Sequence, residues 1–413
     1  MMLTAQEALD HLLPHAQAVC EVEREATQAA LGRVLAEDVA SLVDVPPLDN
    51  SSMDGYAIRC ADLSAADMTL YVGQRIPAGS VGQALQARQA ARIFTGAPIP
   101  PGADAIVMQE ETSLLASENT GQADRVLINH VPSTGQWIRR RGEDLMAGKV
   151  ALTAGTFLRP QELGVAASAG LTHLMVKRRV RVATFFTGDE LALPGEPLKP
   201  GGIYNSNRDT LLACLRSLGC APTDLGIVPD RLDATRAALR SASANHDLIL
   251  TSGGVSVGEE DHIKPAVNAE GRLDLWQIAI KPGKPLAFGA VHKGTDAASG
   301  ETWFMGLPGN PVSSFVTFLL FVRPFILRLQ GRNDISPPRY FMRADFDWLR
   351  ADRRNEFLRV KVNPAGGLDL FTNQSSGVLT SASWGDGLVD CPPNQPIQRG
   401  GIVTYIPFSG LLS

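Results

Sequence analysis

Three short stretches of this 413-residue chain place small, hydroxylated and cationic residues where an oxyanion could be held. The first is SGGVSVG, which follows an apolar run at 247–251. Gly253, Gly254 and Gly258 remove side chains where a ligand could touch backbone N–H groups, and Ser252 and Ser256 add hydroxyl donors. A helix expected just after the loop would present its positive end to a phosphate. No GK[ST] follows and the glycine spacing is not GxGxxG, so neither nucleotide fingerprint applies. A glycine loop that merely turns the chain would read the same way.

The second stretch is KPGKP, where Pro282 and Pro285 stiffen a turn carrying Lys281 and Lys284. Two ammonium groups roughly 4 Å apart repel by about 4 kcal/mol at an effective dielectric of ~20. An oxyanion between them turns that cost into charge-assisted hydrogen bonds of roughly 1.5–3 kcal/mol each. Two solvated lysines pointing apart are the alternative. The third stretch, GLPGNPVSS, contains Pro308, then Asn310 in position to cap a helix, Pro311 at its first turn and Ser313 just inside it. Capping accounts for Asn310 but not for the whole series.

Acidic residues recur at turns: Asp49 and Asp54 in PLDNSSMDGYA, Asp144 in RRRGED, Glu190 in TGDEL, Asp230 in GIVPD and Asp261 in GEEDH. Singly, each reads as a turn or cap residue. Gathered in one cleft they would repel a polyphosphate unless a divalent cation intervened. Mg²⁺, which takes one or two carboxylates plus phosphate oxygens, is the expected ion. Arg139, Arg140 and Arg141 bring the opposite sign beside Asp144, in a form suited to phosphate. His11 and His15 have a metal-compatible spacing, but Pro14 lies between them, and a polar helix end is the better reading.

The elements that must position these loops read as an α/β multidomain chain. Strands are expected at 180–186, 225–228, 247–251, 275–280, 286–291 and 303–305. Helices are expected at 208–218, 231–244, 261–268 and 312–329. This alternation implies a doubly wound parallel sheet, with ligands at the carboxyl ends of its strands. Residues 49–144 read as a β-rich second domain. Residues 331–413 read as a small C-terminal β-barrel or sandwich. Residues 1–48 and 145–178 form a discontinuous first domain, with a capping box at Thr4 and Glu7 and a helix at 160–169. The doubly wound unit spans 179–330.

Bulk properties exclude some functions. At 44% hydrophobic and 20% charged, with net charge -5, the chain has no cationic excess for a nucleic-acid backbone. Cys20, Cys60, Cys214, Cys220 and Cys391 make no CxxC pair, which points to a reduced, cytoplasmic setting rather than a disulfide framework or zinc site. The start lacks a signal-peptide pattern. The apolar run 312–329 contains Arg323, Pro324 and Arg328, so a buried helix is expected rather than a membrane span.

Taken in order, PPLDNSSMDGYA, RIFTGAPIPPGADAIVMQE, RRRGED, FTGDEL, TSGGVSVGEED, IAIKPGKP and GLPGNPVSSFVTF resemble the motifs of the molybdopterin molybdenumtransferase family, bacterial MoeA and the gephyrin E domain. The resemblance implies four domains in an elongated homodimer. It also implies a reaction in which adenylylated molybdopterin and molybdate give the molybdenum cofactor and AMP with Mg²⁺ assistance. Carried over by position, Asp54, Thr95, Asp144, Glu190, Asp230 and Asp261 correspond to the catalytic set. Asp54, Asp144, Asp230 and Asp261 are the metal candidates. Arg139, Ser252, Gly253, Gly254, Ser256, Lys281, Lys284, Pro308, Pro311 and Ser313 are candidate substrate or oxyanion contacts. Arg354 or Arg359, with Ser381, would complete the site from the fourth domain of the other subunit. Gln277 replaces a frequent basic residue, and His262 a frequent tyrosine. Molybdopterin adenylyltransferase and molybdoenzyme-maturation proteins are the implied partners. Rival readings are an adenylyltransferase, which shares the SGG loop, and a non-enzymatic scaffold.

Overall fold

The computed structural model describes residues 2–116, 124–254, 262–294 and 300–412, with only the backbone of residues 275 and 276. A six-stranded sheet carries the phosphate-type loops. Its order is Ala221–Val228, Arg181–Thr187, Leu248–Ser252, Glu301–Leu307, Pro285–His292, Gly271–Gln277. The first four strands are parallel, and their apolar runs are buried on both faces, as Val182, Phe185, Leu250 and Met305 illustrate.

The sheet is mixed rather than parallel throughout. Gly271–Gln277 and Pro285–His292 form an antiparallel pair, and Pro285–His292 runs antiparallel to Glu301–Leu307. The physical reason is linker length. Residues 278–284 and 293–300 are too few for a parallel crossover, which needs a dozen or more. The expected strand 275–280 also divides: its end, Ile280–Lys281, leaves this sheet and joins the C-terminal one.

Helices Ser206–Ser217, Leu232–Ser243 and Ile263–Glu270 cover the sheet. Residues Pro311–Leu329 make one 19-residue helical run, 89% buried, the core helix of this layer. Pro324 lacks the N–H that would bond back to Leu320, and the turn before it, Phe318–Val322, widens to π geometry.

The C-terminal segment is a closed β structure. Strands run in the order Ile280–Lys281, Asn355–Val362, Gly387–Cys391, Ile402–Pro407, Tyr340–Arg343. The bridge from Ala344 to Leu368 returns the path to Leu368–Leu370 on Asn355–Val362. In the N-terminal half, a second six-stranded sheet includes Gly55–Ile58, Gln89–Ile93 and Ala105–Met108. Val22–Ala26 pairs with His173–Lys177, and Val39–Ala40 with Val150–Leu152.

Helix Ala5–Leu12 starts with the Thr4–Glu7 capping box. Just before it, Leu3 accepts from the Ala279 N–H at 2.7 Å and donates to the Gln277 carbonyl at 2.9 Å. The Ala279 carbonyl accepts from the Asn355 N–H at 2.9 Å. The His15 ring packs against Phe288 and Trp303, at centroid distances of 5.4 and 5.1 Å.

Candidate active site

A cleft of about 650 Å³ opens at the carboxyl ends of the parallel strands. Gly253 and Gly254 lie there at φ +96° and +63°, conformations that favour glycine. Gly283, at φ +110°, turns the KPGKP segment against the core helix, where an added Cβ would stand 2.5 Å from the Thr317 hydroxyl. Glu190 and Asp230 supply acidic groups, and Pro308 and Ser313 line the helix side.

The two lysines of the turn differ. The Lys281 ammonium lies 2.9 Å from Glu356 Oε1 and 3.4 Å from Asp352. The Glu356 contact is Coulombic rather than an aligned hydrogen bond, since Oε1 has no hydrogen-bond partner. Burial pulls the Lys281 pKa down, but Glu356 and then Asp352 outweigh it and hold it above the usual lysine value. The expectation of two mutually repelling ammonium groups waiting for an anion is therefore corrected: carboxylates of the C-terminal sheet already balance one. Lys284 lines the same cleft with no carboxylate partner among the described residues.

The start of the core helix borders the same cleft. Asn310 occupies the cap position but makes no side-chain cap bond. Instead the Val312 N–H donates to the Ser376 carbonyl at 3.0 Å, and the Ser314 N–H to Asn310. Pro311 has no N–H. Ser313 is 4% exposed and lines the cleft.

Arg354 lines the cleft within the same chain, where the family resemblance placed the fourth-domain residues of the other subunit. The cause is register: Ile280 and Lys281 pair in parallel with Asn355 and Glu356, which brings the residue before that strand beside the lysine turn. Arg354 donates to both Asp352 oxygens, at 3.1 and 2.9 Å. These bonds, with burial opposing, hold the Asp352 carboxyl well below the usual range.

Residues 3–170, 183–328 and 342–408 match the family patterns described as MoeA N-terminal region (domain I and II), probable molybdopterin binding domain, and MoeA C-terminal region (domain IV). A molybdopterin molybdenumtransferase of Haemophilus influenzae is 40% identical over 373 residues, 89% of each chain. The chain belongs to the molybdopterin molybdenumtransferase family. A relative of the same name from Nostoc is 37% identical over 402 residues, 95% of this chain and 89% of its own. The crystal structure of a molybdopterin biosynthesis moeA protein from Pyrococcus horikoshii superposes with TM-score 0.83 at 28% identity, covering 98% of this chain and 100% of that one.

The remaining expected transferase-family positions fall into separate places. Ser252 and Pro311 line a second lobe beside the cleft. Arg359 and Ser381 do not reach either lobe. Both are buried, and Arg359 donates to the Ser381 hydroxyl at 3.1 Å and to the carbonyls of Phe357 and Ser375. Burial pushes the Arg359 pKa down to about 10. Its backbone also exchanges bonds with Gln374, so Arg359 supports the 374–376 segment, which does line the cleft.

Among the described residues of one chain, the expected carboxylates do not all meet in one cluster. Asp54, Thr95, Arg139 and Asp144 sit in the N-terminal half, outside the cleft lining. The Asp54 carboxylate accepts from the Thr95 N–H at 2.7 Å and its hydroxyl at 2.8 Å. Those bonds, the backbone one first, hold its pKa below the usual value. Arg140 and Arg141 are paired with Asp49 and Asp44. Ser256 and Asp261 lie outside the described residues. Among the described residues no group of three or more His, Cys, Asp or Glu side chains is arranged as a metal cage.

Sequence reasoning missed Gln374, Ser375 and Ser376. Their only signal was the polar turn NQSSG between strands, which reads as an ordinary loop. It also missed Asp352 and Glu356, whose partner Lys281 is remote in sequence.

Proposed function

We propose that this chain inserts molybdenum into molybdopterin, using adenylylated molybdopterin and molybdate and releasing AMP. The observation that carries this reading is the pairing, in one cleft, of Lys284, which has no carboxylate partner among the described residues, and Ser313 at the start of the core helix with the acidic Glu190 and Asp230. The first two suit an oxyanion. Glu190 and Asp230 match the Mg²⁺ habit of one or two carboxylates plus phosphate oxygens, and an ion held there would neutralise phosphate charge and polarise phosphorus.

Lys284 and the Ser313 hydroxyl hold molybdate beside the dithiolene, and Arg354, kept in place by Asp352, closes that wall. An oxygen of molybdate or of water attacks the phosphorus. The pyrophosphate P–O bond breaks and AMP leaves; the two dithiolene sulfurs replace two molybdate oxygens on molybdenum, one departing on AMP where molybdate is the nucleophile and the other as water, or both as water where water attacks, with the thiol protons going to the departing oxygens. Asp54, Thr95, Arg139 and Asp144 join a cleft by way of a second copy of the chain, making the working unit a homodimer. The setting is cytoplasmic, with an adenylyltransferase supplying the substrate and molybdoenzyme-maturation proteins receiving the product.

The test is AMP release from adenylylated molybdopterin with Mg²⁺ present. Release that depends on added molybdate supports the reading. Release that is absent, or indifferent to molybdate, sinks it.

A further inference from the structure

We propose that Arg92 is a positioning residue for the reaction: its guanidinium locks together the strand ends that carry Asp54 and Thr95. This rests on the reading that brings Asp54 into a cleft by way of a second copy.

Asp54 stands just before strand Gly55–Ile58, and Thr95 two residues past the end of strand Gln89–Ile93. The strands are antiparallel, and Gly55 opposite Ile93 is the end pair of their ladder. Such ends open more readily than the middle of a sheet. Thr95 is exposed and Asp54 half-buried. The two bonds that join them stand against water and do not by themselves fix where the carboxylate points.

Arg92 supplies the missing constraint. Its Nη1 donates to the Gly55 carbonyl at 2.9 Å and to the Ile93 carbonyl at 3.3 Å, one on each strand end. Its Nη2 donates to the side-chain oxygen of Gln109. The Gln109 N–H in turn donates to the Asp54 carbonyl at 3.1 Å, and Gln109 directly follows strand Ala105–Met108. The bonds thus close a ring around Asp54 that draws on three strand ends. A planar guanidinium can span these acceptors, whereas a lysine ammonium acts from a single point. The guanidinium is itself held by stacking, 4.6 Å from the Phe94 centroid and 5.4 Å from that of Tyr56. Its three acceptors are all neutral oxygens, so they leave its charge uncompensated. The Thr95 N–H and hydroxyl lower the Asp54 pKa first, and the Arg92 charge adds to them.

The experiment follows the full chain in Arg92→Met, Arg92→Lys and Gln109→Leu, with Arg75→Met as control. Arg75 packs on the same Phe94 ring at 4.5 Å but takes no part in the bonds around Asp54. Molybdate-dependent AMP release gives kcat and KM, and NMR of the carboxyl carbon gives the Asp54 titration. We expect kcat to fall about thirtyfold in Arg92→Met and about threefold in Gln109→Leu, with KM within about twofold. The Asp54 pKa should rise in Arg92→Met, which removes a nearby positive charge. Arg92→Lys should restore the titration, because it keeps the charge, yet leave kcat about fivefold low, because it cannot span the acceptors. Arg75→Met should stay within about twofold throughout. Unchanged kcat in Arg92→Met, or a loss confined to KM, overturns the proposal. So does full rescue of kcat by lysine, which would make charge the whole effect, or an equal fall in Arg75→Met, which would mean a general loosening of the sheet. If Arg92→Met does not fold, Gln109→Leu decides by its kcat, since it removes one acceptor and no charge. Absence of AMP release from the unmutated chain sinks the transferase reading instead. The Asp54 titration then judges the tie alone: a rise in Arg92→Met keeps it, and no rise removes it.

Discussion

The Lys281 ammonium stands 2.9 Å from a carboxylate oxygen of Glu356, a residue 1% exposed. One lysine of the turn therefore fastens the C-terminal sheet to the cleft, and the other, Lys284, lines the cleft with no carboxylate partner among the described residues. The two should differ in what mutation costs the fold. Lys281→Met leaves the Oε1 side of a buried carboxylate without its cation, while Oε2 keeps its bonds from the Trp348 and Asp352 N–H groups, and should cost about 2–3 kcal/mol, below the usual figure for a buried pair because Lys281 keeps one side in water. Lys284→Met should cost less than about 0.5 kcal/mol. Denaturant melts of both variants check this.

Lys284→Gln should weaken molybdate binding roughly 10–100-fold, the value of one charge-assisted hydrogen bond of about 1.5–3 kcal/mol. Calorimetry with molybdate and the rate of AMP release are the measurements. Unchanged affinity would move the oxyanion elsewhere.

The Lys281 tie carries a pH signature. The folded pKa of Lys281 is raised, so its contribution is complete below the ordinary 10.5 and fades as pH rises through the higher value. The Asp352 pKa is lowered, chiefly by its bond to Arg354, so its contribution is complete above the ordinary 3.8 and fades only as pH falls through the lower value. The stability difference between wild type and Lys281→Met should be flat from about pH 5 to pH 9 and shrink above about pH 11. Melting curves at several pH values report it.

Asp54 is held ionised first by the Thr95 N–H and second by its hydroxyl. Thr95→Val removes only the hydroxyl bond. The Asp54 pKa should rise part of the way to the ordinary 3.8, as followed by NMR titration of the carboxyl carbon.

A site shared between two copies predicts complementation. Asp54→Ala and Lys284→Ala should each be inactive alone. Mixed after unfolding and refolding, they should recover roughly a quarter of wild-type AMP release, because half the dimers are mixed and each of those holds one intact site. No recovery would mean that Asp54 and Lys284 do not complete one site across two copies.

Much of the cleft was legible because its loops obey local rules. Gly253, Gly254 and Gly283 occupy positive-φ positions that the glycine spacing announces, and Pro311 starts the helix where its missing N–H costs least. What the sequence hid was long-range. Nothing near Lys281 marks Glu356 as its partner, and nothing in VLTSAS distinguishes Ser381, buried against Arg359, from Ser376, whose carbonyl meets the core helix. The edge of the main sheet was misjudged because strand periodicity is blind to direction, while connector length was the usable signal.

Ala279 joins the two extremes of the chain, bonded on one side to Leu3 and on the other to Asn355. On the ribosome these three residues emerge far apart in time. Leu3 appears first, finds its partner only when the middle of the chain has been made, and the cationic turn gains its outer brace only once the last segment is out. A truncated product ending near residue 330 would display the glycine loops and both lysines, yet lack the wall carrying Arg354 and the counter-charge for Lys281. The finished cleft is thus a late event in synthesis, assembled only when segments far apart in the chain have met.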